Sequence, residues 1–166
     1  MALYTDLTLK LVATLTAVGD LGTPTFPIDN TTRYLWASGT GADQADKMYS
    51  DTNTLAASGT LDLDLSGPLS DGLGGTISIV KLKALIVKAA AANTNNVLVS
   101  RPATNGVPLF AAAGDAIPVL PGGTVVWISP GAGITVTPAT GDLVTFTNSA
   151  GGTGVTYDVI IIGTSA

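Results

Sequence analysis

Few side chains in this sequence could do chemistry, and the residue types that are missing limit it most. No histidine or cysteine occurs anywhere in the 166 residues. Their absence excludes Ser-His-Asp and Cys-His triads, histidine general bases and the usual zinc sites. Carboxylates remain, because glycosidases and aspartic proteases need only two acids held at a set distance. Any catalysis would therefore depend on aspartates, since none of the 12 acidic residues is a glutamate.

Asp62 and Asp64 are the nearest pair of carboxylates that could act together. They alternate with leucines over residues 61–65. A hydrolase that uses this pair is one interpretation of the spacing. The plainer one is an amphipathic strand whose polar face is solvated. We therefore predict that the chain is not an enzyme and has no catalytic residues.

The same region begins like a calcium-binding loop. Asp62, Asp64 and Ser66 stand at alternate positions before Gly67, as oxygen ligands do in an EF-hand. The twelfth position is a leucine instead of a bidentate glutamate, so Asp71 would have to close a nonstandard site. We predict no metal ion and no cofactor.

Lysines are the other candidate functional groups. The chain carries only 7 Lys and Arg residues and a net charge of -5, and Lys81, Lys83 and Lys88 form its one basic cluster. Nucleic acid is therefore not an expected partner. Lys81 and Lys83 share one face of a predicted strand, where they would either protect an edge or meet acidic groups on a partner protein. We predict that these two lysines, together with Tyr34 and Trp36, contribute to a partner interface.

The overall composition indicates assembly. Only 11% of the residues are charged, against about 25% in an average soluble domain. A surface of Thr, Ser, Asn and Gly can pack against protein without desolvating ions. The alternative is that Thr is simply a favourable residue on exposed strands. Residues 7–18 are too short and too often interrupted by Thr and Lys10 for a membrane span or signal peptide, so we expect neither membrane insertion nor export.

Residues 76–88 form the longest β-branched and aliphatic run, and we predict that they are a central strand. One face at period two is nearly all apolar, and the other carries Lys81 and Lys83 between aliphatic residues. A helix is the competing interpretation, because Leu82, Leu85 and Ile86 would form a helical stripe. The sequence Ile-Ser-Ile-Val before the lysines favours the strand.

Alternation and turn signals along the rest of the chain predict an all-β, antiparallel, jelly-roll-like β-sandwich over residues 46–166. Residues 1–45 are predicted to be an N-terminal arm or hairpin, although an ordinary pair of sandwich strands fits equally. The apolar final strand is expected inside a sheet. The predicted strands are residues 7–16, 33–36, 52–57, 60–66, 76–88, 95–100, 107–110, 116–120, 124–129, 134–137, 142–147 and 155–163.

Several short segments, taken in order, resemble a family of small virion structural proteins of tailed bacteriophages. The resemblance covers residues 39–166, and the residues before 39 match least well. The matching segments are Asp51-Thr52-Asn53-Thr54-Leu55-Ala56-Ala57-Ser58, Leu61-Asp62-Leu63-Asp64-Leu65, Val80-Lys81-Leu82-Lys83-Ala84-Leu85-Ile86-Val87, Asn93-Thr94-Asn95-Asn96-Val97-Leu98-Val99, Pro121-Gly122-Gly123, Gly141-Asp142-Leu143 and Thr156-Tyr157-Asp158-Val159-Ile160-Ile161-Ile162-Gly163.

This resemblance implies a virion protein of jelly-roll type, such as a decoration (cement) protein bound to the outside of a capsid. Its implied partners are the major capsid protein and further copies of itself, as a dimer or trimer. Its implied location is the capsid surface, after assembly in the host cytoplasm. Phage tails also use small β-sandwich proteins. A tail component or a receptor- or carbohydrate-binding module, with glycans at Trp36 or Trp127, is therefore the alternative expectation.

Overall fold

The computed structural model describes residues 2–166, which form strands and loops and contain no helix, so the all-β prediction is confirmed. No segment in this part of the chain is therefore a helix that could cross a membrane. The strands are β1 (Thr5–Thr16), β2 (Thr25–Ser38), β3 (Gln44–Ala45), β4 (Lys47–Leu55), β5 (Thr60–Asp64), β6 (Leu69–Ser70), β7 (Thr76–Ile77), β8 (Lys81–Ala89), β9 (Val97–Ser100), β10 (Ala116–Val119), β11 (Thr124–Ile128), β12 (Ile134–Thr135), β13 (Leu143–Asn148) and β14 (Val155–Thr164).

Two antiparallel sheets share the main hydrophobic core, an arrangement consistent with a β-sandwich. One sheet has the order β10-β9-β13-β5 and the other β11-β8-β14-β4, with β12 also paired to β8. Leu63 and Phe146 of the first sheet meet Leu85 and Tyr157 of the second in one buried cluster. The rings of Phe146 and Tyr157 stack with their centroids 4.8 Å apart. The final strand, β14, lies between β8 and β4, as its apolar sequence predicted.

The predicted central strand is only partly correct. β8 does lie between β11 and β14, but it begins at Lys81, and the preceding β7 pairs with β6 in a separate two-stranded sheet. The backbone turns away between them because Ile79 and Lys81 pass directly over Gly163. A Cβ at Gly163 would lie 2.5 Å from the Lys81 carbonyl oxygen and 2.6 Å from Ile79 Cγ2. A glycine in β14 therefore permits this close crossing.

Most other predicted strands agree with the structure to within a few residues, and one is wrong. Residues 107–110 form turns rather than a strand. Val107 and Leu109 are buried there, and the Val107 N–H donates to the Leu143 carbonyl at 2.9 Å beside a single bridge at Gly106. The Arg101 guanidinium donates to the Phe110 carbonyl at 3.1 Å. Asn105 ends the turn before this segment with a φ of 59°, a left-handed backbone conformation that asparagine adopts more readily than most residues.

The first strands form a hairpin, which we call the arm. β1 and β2 pair antiparallel in an uninterrupted register from Thr5 opposite Trp36 to Thr16 opposite Thr25. At its root β2 also pairs with β3 in parallel through Ala37 and Ser38. The observed hairpin thus accounts for most of the predicted N-terminal segment, while the division of the chain at residue 45 stays a prediction.

Tyr157 is 1% exposed, and its buried hydroxyl has no hydrogen-bond partner within residues 2–166. Burial raises the pKa of this hydroxyl far above its usual value, so it remains a protonated donor. We expect Tyr157→Phe to leave the free energy of unfolding unchanged or to raise it by about 1 kcal/mol, because an unsatisfied buried hydroxyl is removed. Urea unfolding of the two proteins measures the difference, and a loss above about 1 kcal/mol would show that the hydroxyl is bonded.

Candidate partner interface

The arm has one apolar face and one polar face, because its register places unlike residues on opposite sides. Odd-numbered residues of β1 lie opposite even-numbered residues of β2 on one side of the ribbon. This side carries five side chains that are 41% to 72% exposed, and we call it the apolar arm face. Its members are Leu9, Leu11, Leu15, Phe26 and Ile28. None of them belongs to a buried hydrophobic cluster of residues 2–166.

The opposite side of the arm is held by ion pairs within the arm. The Arg33 guanidinium donates to both carboxylate oxygens of Asp6, at 2.9 and 2.6 Å. This hydrogen bond lowers the pKa of Asp6 and raises that of Arg33. Lys10 Nζ lies 3.6 Å from an Asp29 oxygen. These charges therefore neutralise one another on the polar side.

The root of the arm packs against the outer face of the five-stranded sheet, which is the side away from the main core. Trp36 is 1% exposed and shares a buried cluster with Ala45, Ala84 and Ile162. Its indole N–H donates to the Pro130 carbonyl at 3.3 Å. This position corrects the expectation that Trp36 meets a partner, because in the folded chain its own sheet already covers the ring.

Tyr34 lies next to Trp36 in a different environment. Its ring stacks on the indole with a centroid distance of 6.1 Å. The residue is half-buried at the edge of the same cluster. Part of the ring remains accessible, so a contact between Tyr34 and a partner stays a prediction.

Lys83 is a further correction, because it is 1% exposed. Its ammonium donates to the carbonyl oxygen of Gly131 and, at 3.4 Å, to that of Gly41. Burial lowers the pKa of Lys83, an effect that the Lys81 charge increases and the Asp43 carboxylate opposes. Lys83 therefore joins two loops of its own chain and is not available to a partner in this structure.

A bulge in β8 reverses the alternation after Lys83, while Lys81 and Lys83 share one face as predicted. Ala84 pairs with Ile162 of β14 and Leu82 with Gly163, which leaves Lys83 as an extra residue between them. Leu82 and Leu85 consequently both face the main core. Lys88 is thereby turned to the outer face, the side on which Lys81 and Lys83 also lie.

Lys81 remains the accessible candidate among the two predicted lysines. It is half-buried, and its ammonium donates to the Thr135 hydroxyl at 2.7 Å. A contact between Lys81 and a partner's acidic group stays a prediction. Lys88 is exposed and stands opposite Asp158 of β14.

The rest of the outer face carries an apolar row beside the root of the arm. Val126, Ile86 and Ile160 lie side by side on β11, β8 and β14. Val126 is 36% exposed, and Met48 of the edge strand β4 is 41% exposed. Sequence reasoning did not identify this row, because the bulge at Lys83 decides which residues of β8 face outward.

The aspartates predicted as alternative catalytic or calcium-binding groups cap turns and side chains. Asp64 accepts from the backbone N–H of Ser66 at 2.9 Å and of Gly67 at 2.8 Å. Asp62 accepts from the Thr145 hydroxyl at 2.5 Å, and Asp71 from the N–H of Gly75 at 2.7 Å. Across residues 2–166, no three acidic side chains come together as a metal site would require.

A cleft of about 550 Å³ lies between the start of the chain, the β4 edge and the turn before β7. Its apolar lining includes Leu3, Met48, Leu73 and Ile77. The Lys47 ammonium beside it lies 3.5 Å from an Asp46 carboxylate oxygen. Asp46 in turn binds the backbone N–H of Ser165 at 2.8 Å. The charged groups of the cleft are thus already paired within the chain.

Comparison with known proteins adds no family to these observations. No family model, curated protein or solved structure matches the chain.

Proposed function

We propose that this chain is a non-enzymatic structural protein of a phage virion, of the capsid decoration (cement) type. In this role it oligomerises on the capsid surface and bridges subunits of the major capsid protein. The observation that carries the proposal is the arm, a long hairpin with an apolar face that its own chain leaves uncovered. Such a face indicates a protein that functions in an assembly, because exposed apolar patches of this kind mark association sites.

The connection of the sandwich strands supports the jelly-roll part of this proposal. Its eight principal strands pair first with last and then inward, as β4 with β14, β5 with β13, β8 with β11 and β9 with β10. A ribbon of strands paired in this way and rolled into two sheets is the arrangement of a jelly roll, a fold found in viral capsid and lectin domains. Fold alone does not define function, so this support is by analogy.

The shortage of charge supports binding to a protein shell. The apolar row on the outer face and the threonines beside it, such as the hydrogen-bonded Thr54 of β4 and Thr156 of β14, can be buried without removing ions from water. Each copy would add about 25 cal/mol per Å² of apolar area, before the unfavourable entropy of association is subtracted. Many copies acting together would strengthen a shell considerably. Neither nucleic acid nor membrane is an expected partner of this surface.

Binding to native particles tests the proposal. We expect the purified chain to bind shells that lack it and to protect them against heat, because a ligand that binds only the assembled state stabilises that state. At about 100 times its Kd, each occupied site would contribute about 2.7 kcal/mol. Calorimetry of the shells with and without the chain measures the effect, and cryo-microscopy of native particles locates it.

Placement in the particle separates this function from its alternative. Density for the chain at regular positions outside the capsid would support the cement role. Density confined to the tail, together with glycan binding that is lost in Trp127→Ala, would instead support the tail or receptor-binding module and overturn the proposal. A particle that contains no copy of the chain would overturn both.

A further inference from the structure

The apolar arm face needs a permanent cover. A two-stranded hairpin alone is marginally stable in water and requires a third strand or a packed face. Only the root of the arm has such packing, through Trp36 and the half-buried Leu7. Further out, Leu15 and Phe26 are 72% and 63% exposed, and Leu21 at the tip is fully exposed. The face that is buried at the root thus continues, uncovered, along the rest of the arm.

The edges of the arm are less suited to association than its face. β2 contains Pro27, which lacks an N–H and is typical of strands whose outer edge stays unpaired. The ion pairs of Lys10 with Asp29 and of Arg33 with Asp6 flank the ribbon on its polar side. Addition of another strand at the β2 edge is therefore disfavoured, and the apolar face is the larger contact surface of the arm.

The charge of the arm suits contact with an identical arm. Between residues 5 and 38 it has two cations, Lys10 and Arg33, and three carboxylates, Asp6, Asp20 and Asp29, for a net charge of -1. The body of the chain holds the rest of the net -5. Two arms can therefore approach without strong repulsion, and the apolar face offers no charged group that would select a different partner.

We propose that the apolar arm face is covered by the arms of neighbouring copies of this chain, packed with their apolar faces inward. This inference deepens the proposed function and rests on it, since it names the partner of the surface that carries that function. A shell would cover the face only after binding, whereas a marginally stable hairpin needs cover as soon as it folds. A second copy is present whenever the protein is made.

The size of the face bears on the number of arms. Residues 9–15 of β1 and their β2 partners carry the uncovered face. At about 3.4 Å per residue, on two strands about 5 Å apart, they give a strip of roughly 24 by 10 Å, or about 240 Å². This is under a third of the roughly 800 Å² that each partner buries in a standard interface. The shortfall favours three or more arms around one core over a simple pair, unless the bodies also touch.

Two adjacent residues of β1 provide a matched test. Leu11 is 59% exposed on the apolar face, and Val12 is 62% exposed on the polar face. We expect wild type and Val12→Asp to elute as the same multiple of the 16.6 kDa chain in size-exclusion chromatography with light scattering. Leu11→Asp is expected to be a monomer, with association weakened at least 100-fold, because it would bury an unpaired carboxylate.

Further measurements keep the test decisive. Near-ultraviolet circular dichroism, which should stay unchanged, reports whether the body is folded in Leu11→Asp. If that variant does not fold, Leu15→Asp with Thr14→Asp as its control repeats the comparison nearer the tip. A wild-type chain that is monomeric up to about 100 times the concentration used for shell binding, or an oligomer that survives both leucine substitutions, would overturn the inference.

Shell binding distinguishes the failure of this inference from that of the proposed function. A monomeric wild type that binds shells and loses this binding in Leu11→Asp would assign the face to the shell, which overturns the inference and keeps the function. An oligomer that depends on Leu11 but never binds a shell would support the inference and overturn the proposed function.

Discussion

Lys83→Ala should lower the free energy of unfolding by about 3 kcal/mol, or roughly 10 °C in melting temperature for a chain of this size. The substitution leaves the Gly131 and Gly41 carbonyls without their charged donor and opens a cavity at a 1% exposed site. Hydrogen bonds to a charged group contribute more than neutral ones, so this effect exceeds that of ordinary surface changes. Urea unfolding followed by tryptophan fluorescence measures the change.

Two variants serve as controls for Lys83. Lys81→Ala removes a half-buried lysine from the same strand, and we expect a loss of about 0.5 kcal/mol or less. Lys83→Met keeps the length of the side chain and removes the buried charge, so its loss should be clearly smaller than that of alanine. If Lys83→Ala were as mild as Lys81→Ala, the ammonium would have to face solvent or a partner, as the simple alternation predicted.

Trp36→Ala should be still more destabilising, by about 4 kcal/mol, because a fully buried indole at the root of the arm is lost. The cavity would lie between β2 and the outer face, where Ala84 and Ile162 now contact the ring. Calorimetric melting measures the stability, and hydrogen exchange of the β2 amides shows whether the arm separates from the body.

Trp36→Phe separates the contributions of packing and hydrogen bonding. It retains an aromatic ring beside Tyr34 but gives up the 3.3 Å hydrogen bond to the Pro130 carbonyl, so we expect about half of the loss. A Trp36→Ala protein with unchanged melting but abolished particle binding would contradict the structure and return the indole to a partner interface.

Periodicity predicted the strand content well, because alternation is a local property of the chain. The leucines from Leu7 to Leu15 indicated a strand, and β1 covers them. The next strand was predicted only at residues 33–36, yet β2 begins at Thr25, eight residues before it. Twelve cross-strand pairs form the hairpin and keep Pro27 within β2. The strand propensity of the β2 residues alone does not include this pairing.

The burial of Lys83 and the outward facing of Lys88 could not be predicted, because they depend on loop contacts and on a bulge. One unpaired residue at Lys83 reverses the facing of everything after it in β8. Neither Lys83 nor its neighbours in sequence are glycines or other residues that indicate a β-bulge. The residues around the bulge contact groups distant in sequence, namely the Gly131 and Gly41 carbonyls and Gly163, and a local pattern does not contain these contacts.

The apolar arm face was not among the residues predicted to meet a partner. The scarcity of charge predicted a surface suited to protein contact, which stays a prediction, and the arm face is an exposed apolar surface. Of the four residues predicted to meet a partner, Trp36 and Lys83 are buried within the chain, while Tyr34 and Lys81 remain accessible in part. Charge and aromatic character alone do not distinguish a residue that anchors an arm from one that meets a partner.

The pairing of the arm and that of the body differ greatly in the time they need to form. β1 and β2 are neighbours along the chain, and local hairpins form in about 1–10 μs. β4 and β14 meet across more than a hundred residues, as in the Thr52–Asp158 hydrogen bond with a separation of 106. Folds dominated by such distant pairings take milliseconds to seconds. During refolding, the apolar strip of the arm therefore forms and re-forms many times before the sandwich closes, and chain concentration decides whether it meets another copy first.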